Sequence, residues 1–372
     1  MQSCEFLDHF QDIKDPRINR KKLYTCDEIL LLTLCAVICG ADGWEDVESY
    51  GKVKLDYLRH YLPYKNGTPS DDTLRRFFRA LDSDYFQEKF CQWVNSITSG
   101  EDIKLISIDG KTSRHSFDGS QSAMHLISAF ASEARIVLCQ EKVDNKTNEI
   151  KAIPNLLDWL DLRGAIITID AMGCQYKIAD KIKNKGGDYI FSLKGNQTNL
   201  SKDIKLFFND QMLLQDINAE VFEDIDYGHG RIETRKCTVV NNAEWLKKEY
   251  PQWHSIEAVV QIESIREVNN KITKETRFYI SSKVLSAKQM LHSIRSHWSI
   301  ENSLHWVMDM SFGDDQSRIR KGNAPQNMAI IKHMALNMIR KVKPPRKSIK
   351  GMRKMAGWHD ICMNDIICQH IF

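Results

Sequence analysis

Three carboxylates stand out for the residues around them. Asp109 lies in Leu-Ile-Ser-Ile-Asp-Gly-Lys, Asp170 in Ala-Ile-Ile-Thr-Ile-Asp-Ala-Met, and Glu301 in His-Trp-Ser-Ile-Glu-Asn. The first two each follow a short β-branched apolar run, which is the pattern of a buried strand. In open α/β sheets, reactive groups gather at the carboxyl ends of the strands. The third acid falls in a helical pattern. Two acids at strand ends and one on a helix can ligate a pair of Mg²⁺ or Mn²⁺ ions ~3.5–4 Å apart, one activating an attacking oxygen and one stabilising a leaving oxygen. That is phosphoryl-transfer chemistry. The plainer alternative is that Asp109 and Asp170 only end strands at polar turns.

The elements that would position these acids can be read on either side of them. Residues 104–109 form a strand, 124–132 and 135–143 a hairpin turning near Glu133, and 153–160 a helix stopped by Gly164. A strand over 165–170, a helix over 175–185 closed by Gly186-Gly187, and a strand over 188–193 follow. The order is β-β-β-α-β-α-β, that of an α/β, RNase H-like core. In that architecture the first and fourth strands are parallel neighbours, so Asp109 and Asp170 should meet. Residues from about 211 to 283 interrupt the scheme with β-like alternation at 232–241, 256–268 and 273–281, and Asn269-Asn270 suits a tight hairpin turn. From Ala287, the residues Met290, Leu291, Ile294 and Trp298 make one apolar helical stripe. Counting at ~100° per residue returns Glu301 to that inward stripe, where a carboxylate needs a cation or donor to compensate it. His297 and His305 lie one turn either side. Asp309, Asp314 and Asp315 read as helix-end or loop residues.

Residues 1–99 read as an all-helical N-terminal domain. Thr25 and Glu28 form a capping box before an apolar helix over 29–39. Ser70 can cap a helix that carries Leu74, Phe77, Phe78 and Leu81 on one side and Arg75, Arg76 and Arg79 on the other. Such a basic face can lie on DNA, as in a helix-turn-helix unit, or simply face solvent.

The 372 residues can bury a core spread over two or three units. The longest apolar stretch is too short to span a bilayer, and no export signal opens the sequence, so a cytoplasmic protein is expected. The ten cysteines lack zinc-site spacing. A net charge of +3 conceals an asymmetry: between Gln316 and His359 there are twelve Lys and Arg and no Asp or Glu. Lys and Arg gain affinity by displacing counterions from phosphates, so a one-sided run points to nucleic acid. Candidate phosphate contacts are Lys111 and Lys194 near strand ends, Arg231 and Arg235 in Tyr-Gly-His-Gly-Arg-Ile-Glu-Thr-Arg, His297, and Arg318, Arg320 and Lys321. No phosphate loop with Gly-Lys-Ser/Thr occurs, so no nucleotide cofactor is expected.

The ordered motifs resemble the ISAs1 family of insertion-sequence transposases, the H-repeat-associated proteins within the IS4-like DDE group. Asp15-Pro-Arg17, Gly40-Ala-Asp-Gly-Trp44 and Gly67-Thr-Pro-Ser70 resemble its N-terminal associated domain. Ile108-Asp-Gly-Lys111, Thr168-Ile-Asp-Ala-Met-Gly-Cys174, Leu193-Lys-Gly-Asn-Gln197, His297-Trp-Ser-Ile-Glu-Asn-Ser-Leu-His-Trp306 and Asp315-Gln-Ser-Arg-Ile-Arg-Lys-Gly322 resemble its core. The resemblance implies a DDE transposase with Asp109, Asp170 and Glu301 as its metal triad, cutting double-stranded DNA at the element's terminal repeats and joining it to target DNA. It implies a dimer when two ends are bridged, and nucleoid association. It also implies a catalytic domain over 100–340 with the β-rich segment as an insertion projecting near the DNA, leaving 341–372 as a basic C-terminal tail. This chain departs from the IS4 group around the Glu, where Ile294, His297 and Met308 replace that group's Tyr, Arg and Lys. Two other readings use the same residues: a stand-alone nuclease, and a DNA-binding relative without catalysis.

Overall fold

The computed structural model describes residues 5–18, 22–117, 123–143, 149–217, 219–228 and 230–369. Nine strands form one mixed sheet: β1 (Leu105–Thr112), β2 (His125–Ala131), β3 (Ile136–Val143), β4 (Ile166–Ile169), β5 (Asp188–Leu193), β6 (Glu220–Gly228), β7 (Arg231–Asn241), β8 (Ala258–Val268) and β9 (Lys271–Ser281). Their spatial order is β3-β2-β1-β4-β5-β9-β8-β7-β6. The first five strands have the RNase H-like order. β1 pairs antiparallel with β2 and parallel with β4, with Ile108 opposite Ile169. β5 continues the parallel run beside β4. The apolar residues of these strands are buried because helices cover both faces. Glu149–Asp158 and Tyr176–Asn184 lie on one side, and Ala287–His297 crosses β1 and β4 on the other.

The insertion adds to this sheet. β9 pairs antiparallel with β5, so β9, β8, β7 and β6 extend the same surface instead of standing off as a lobe. The outer ends of β7, β8 and β9 reach into solvent, the first six residues of β9 being exposed and the last four buried, and β6 is open along its length as the sheet edge. At the β8–β9 turn, Asn269 and Asn270 adopt φ of 48° and 60°. Asparagine tolerates that left-handed region, which matches the twist of a hairpin.

The N-terminal helices share the catalytic region's core. Helix Ala324–Val342 packs against Cys26–Cys39, Asp71–Ala80, Ser83–Ile97 and β3. On its β3 side, Asn337 accepts from the Val137 N–H at 2.9 Å and donates to the Val137 carbonyl at 2.9 Å. Those two bonds satisfy part of an otherwise open sheet edge.

Residues 341–372 do not form a loose basic tail. Helices Ile349–Trp358 and Asp360–Cys368 pack on Cys26–Cys39 and Ala324–Val342. Arg353 is buried, lies 4.2 Å from the Phe312 ring centroid, and donates to the Val37 carbonyl at 2.8 Å. Lys332 is buried against Asp314 at 3.2 Å, and Lys341 pairs with Glu101. Several cations of the basic run are therefore structural, because their stems and charges fill gaps between helices. Lys321, Arg346, Lys347, Lys350 and Lys354 remain exposed.

Candidate active site

Side chains two apart on a strand share a face, so Ser107, Asp109 and Lys111 of β1 project to one side. The β1–β4 register sets Thr168 beside Ser107 and carries Asp170 to the level of Asp109. A hydroxyl chain underlies the acids: Ser132 to Ser107 at 2.9 Å, Ser107 to Thr168 at 3.1 Å, and Thr168 to His297 Nδ1 at 3.0 Å. The β1 strand runs on beyond Asp109 to Thr112. What ends there is the pairing with β4, which opens the cleft. Gly110 is required on the opposite face, where a Cβ would lie 2.7 Å from Glu149 Oε1 and 2.8 Å from His125 Nε2. Asp170 is held by its own turn, accepting from the Met172 and Gly173 N–H groups at 3.0 and 3.3 Å.

Asp109, Asp170 and Glu301 line one cleft of about 190 Å³, together with Thr168, Lys194, Arg277, His297 and Trp298. Glu301 differs from the helical count. Its side chain is 52% exposed, and Trp298 is 49% exposed. Helix Ala287–His297 ends at Trp298, so its period does not carry through to Glu301, and a π turn over Glu301–His305 leads on to Trp306–Phe312. The turn brings in His305, which the sequence places one turn from Glu301, as a fourth group. Its Nδ1 lies 3.4 Å from Glu301 Oε2 and 3.5 Å from Asp109 Oδ2. One ligand atom from each of Asp109, Glu301 and His305 falls within 4.8 Å of the others.

The electrostatics follow from crowded acids in a partly buried cleft. Burial is the largest influence on Asp109 and pushes its carboxyl up to about 7, with Glu301 and Asp170 reinforcing and His305 opposing. Glu301 is held below the usual range, chiefly by the hydrogen bond with His305. Burial lowers the pKa of His297 and favours its neutral ring. Among the described residues, none of the three carboxylates pairs with Lys or Arg. The Asp109 and Glu301 oxygens, which converge with His305, suit a hard divalent ion whose charge would relieve the repulsion, and Asp170 lines the same cleft outside that close group.

The other expected residues are spread around this centre. Lys194 is exposed at the cleft rim, and His297 lines it. Lys111 turns into a cage of Asp309 (2.7 Å), Asp314 (3.2 Å) and Asp315 (3.3 Å). Its charge is thereby committed to holding the segment after the Glu301 helix against β1. Arg231 and Arg235 lie in an adjoining groove and face Glu233 at 3.5 and 2.6 Å. Arg318, Arg320 and Lys321 line a separate groove beside Arg75, Arg76 and Arg79.

The comparisons with known proteins agree along the whole chain. Residues 100–338 match the transposase DDE domain, and residues 7–94 match the DDE_Tnp_1-associated domain. "Putative transposase YncI" of Escherichia coli O157:H7 is 40% identical over 99% of this chain and 95% of its own. "H repeat-associated putative transposase YhhI" of Escherichia coli K12 is 39% identical over 96% of each chain. A solved piggyBac transposase synaptic complex with hairpin DNA is 10% identical, with a TM-score of 0.44 over 98% of this chain and 76% of that one, a likeness too low to build on. The fold and the matched domains define an IS4-like DDE transposase, and this chain belongs to that family alongside the H repeat-associated proteins.

Proposed function

We propose that the protein is the transposase of an ISAs1-type insertion sequence, cutting double-stranded DNA at the element's terminal repeats and joining the freed ends to target DNA. The observation that carries this reading is the meeting of Asp109, Asp170 and Glu301 in one cleft from three separate chain segments. Asp109, Asp170 and Glu301 would hold two Mg²⁺ or Mn²⁺ ions. Bound there, the ions would supply Lewis-acid activation of the attacking oxygen and charge neutralisation at the leaving one.

The chain's own groups do the positioning. Asp170's turn and the hydroxyl chain under Asp109 fix both strand acids before substrate arrives. His305 holds Glu301 and Asp109 toward each other, and Lys194 at the rim can meet a phosphate oxygen. In the cut, a water oxygen bonds to phosphorus while the bond to the 3′ oxygen breaks, leaving a 5′-phosphate and a 3′-OH. In joining, that 3′ oxygen bonds to a target phosphorus and a target 3′ oxygen leaves. One phosphodiester replaces another, so no nucleotide cofactor is needed. Two ends would be bridged by a dimer acting on the nucleoid in the cytoplasm.

The test incubates purified protein with labelled element ends and supercoiled plasmid, in Mg²⁺ or in EDTA. The transposase reading expects Mg²⁺-dependent 3′-OH ends and plasmid-joined products. Cleavage without joined products would favour a stand-alone nuclease. Binding without cleavage would favour a DNA-binding relative that has lost catalysis.

A further inference from the structure

Helix Asp71–Ala80 and the segment after the Glu301 helix enclose a groove of about 620 Å³ that shares no lining residue with the cleft of the three acids. One wall carries Arg75, Arg76 and Arg79, and the other carries Arg318, Arg320 and Lys321. Arg79, Arg318 and Lys321 are exposed and make no ion pair among the described residues. Arg76 is 78% exposed and only 3.5 Å from Asp72. Arg75 pairs with Asp71 at 2.8 Å, and Asp42 is the acid that lines the groove, so six cations face one carboxylate there. Like charges repel, and that surplus leaves the groove suited to an incoming anion.

The walls are locked at a fixed spacing. Asn327, fully buried, donates to the carbonyls of Phe78 and Leu81 at 2.8 and 2.9 Å. Asn323 donates its side chain to the Leu81 carbonyl at 3.0 Å and its backbone N–H to the Arg79 carbonyl at 3.3 Å. Gly322 permits this approach: its φ is +58°, and a Cβ there would lie 2.6 Å from Arg79 Cγ. The second wall is also tied to the turn that follows the Asp109 strand. Arg320 donates to the His115 carbonyl at 3.0 Å, and the Arg114 N–H donates to Asp315 at 3.3 Å.

We propose that this two-walled groove seats the sugar-phosphate backbone of duplex DNA flanking the cleft, gripped at once by the N-terminal helices and the catalytic region. The proposal rests on the transposase reading and names where that substrate is held. Sites for unpaired strands interleave cations with exposed rings for base stacking. Trp44 lines the groove but is only 6% exposed, and the Phe117 ring, 51% exposed, is engaged by the Arg320 guanidinium 5.6 Å from its centroid. Charge with no row of open rings among the described residues favours paired backbone.

The test measures binding of a fluorescein-labelled duplex of ~30 bp and arbitrary sequence, across a salt series in EDTA, by anisotropy. Arg76→Gln with Arg79→Gln removes charge from one wall, and Arg318→Gln with Lys321→Gln from the other. Each pair should lower the log–log salt slope by ~1.8, and the four together by ~3.6. Thermal melting checks folding, and Arg76→Glu alone, at a largely exposed position, should weaken binding without changing the melt. An unchanged slope in either folded pair overturns the groove while leaving the transposase reading standing, since DNA would then lie elsewhere. Loss of single-strand but not duplex binding overturns it as well. A wild-type protein that binds no duplex would sink both.

Discussion

His305 Nδ1 stands 3.5 Å from Asp109 Oδ2, on the far side of the sheet-to-helix crossing that brings Glu301 to the same imidazole. The contact exists because the π turn over Glu301–His305 aims both helical side chains at β1. A group that orients acidic ligands acts through them. His305→Ala should therefore reduce cleavage ~10–100-fold, the usual cost of losing such support, and leave duplex affinity unchanged. Wild-type cleavage by a folded His305→Ala protein would make the contact incidental.

Asp109 gives a pH signature in the metal-free protein. Its folded pKa of about 7 exceeds its ordinary value of 3.8, so the folded chain holds this proton longer than the unfolded chain does. Its contribution to stability is greatest at low pH and is lost as pH rises from 3.8 through about 7. Asp109→Asn removes that loss. Its stability advantage over wild type in EDTA should grow by on the order of 2 kcal/mol between about pH 5 and pH 8. Urea melts at both values measure it, and a gap that stays constant or shrinks contradicts the burial argument.

Much of the core was legible because its signals are local. Apolar runs before Asp109 and Asp170 gave the parallel pair β1 and β4, and Thr25 with Glu28 does form a reciprocal capping box. Other features depend on tertiary contacts. Helical counting misses Glu301 because the helix ends at His297 before reaching it, and a π turn begins there in its place. Strand β6, Glu-Val-Phe-Glu-Asp-Ile-Asp-Tyr-Gly, went unread because an exposed sheet edge carries charge instead of apolar residues. The cage around Lys111 joins residues about two hundred positions apart, and no spacing rule connects them.

The buried cage makes a stability claim. Asp314 accepts from Ser113 Oγ at 2.9 Å and meets Lys111 and Lys332 at 3.2 Å each. Those cations hold its carboxyl far below the usual range. Its stabilisation is thus present above the ordinary carboxylate range and fades as pH falls well below it. Lys332→Met leaves that charge short of a buried partner and should cost on the order of 3 kcal/mol at neutral pH. A loss below ~0.5 kcal/mol in denaturant melts would mean that Lys111 alone suffices.

Arg353 and Lys347 belong to one basic run but should behave oppositely. Arg353→Ala removes the contact with Phe312 and the bond to the Val37 carbonyl, and should cost ~2 kcal/mol of stability with no change in the salt slope of DNA binding. Lys347→Ala, at an exposed position, should leave stability within ~0.5 kcal/mol. Equal melts for the two variants would refute the structural role given to Arg353.

The proposed metal-binding role of the three acids is tested most directly by anomalous diffraction from crystals of the protein with duplex DNA and Mn²⁺. The account predicts manganese density in the cleft at ~2.1 Å from carboxylate oxygens of Asp109, with Asp170 and Glu301 both among the ligands. Density that excludes Asp170 or Glu301, or that lies instead among Asp309, Asp314 and Asp315, would contradict it.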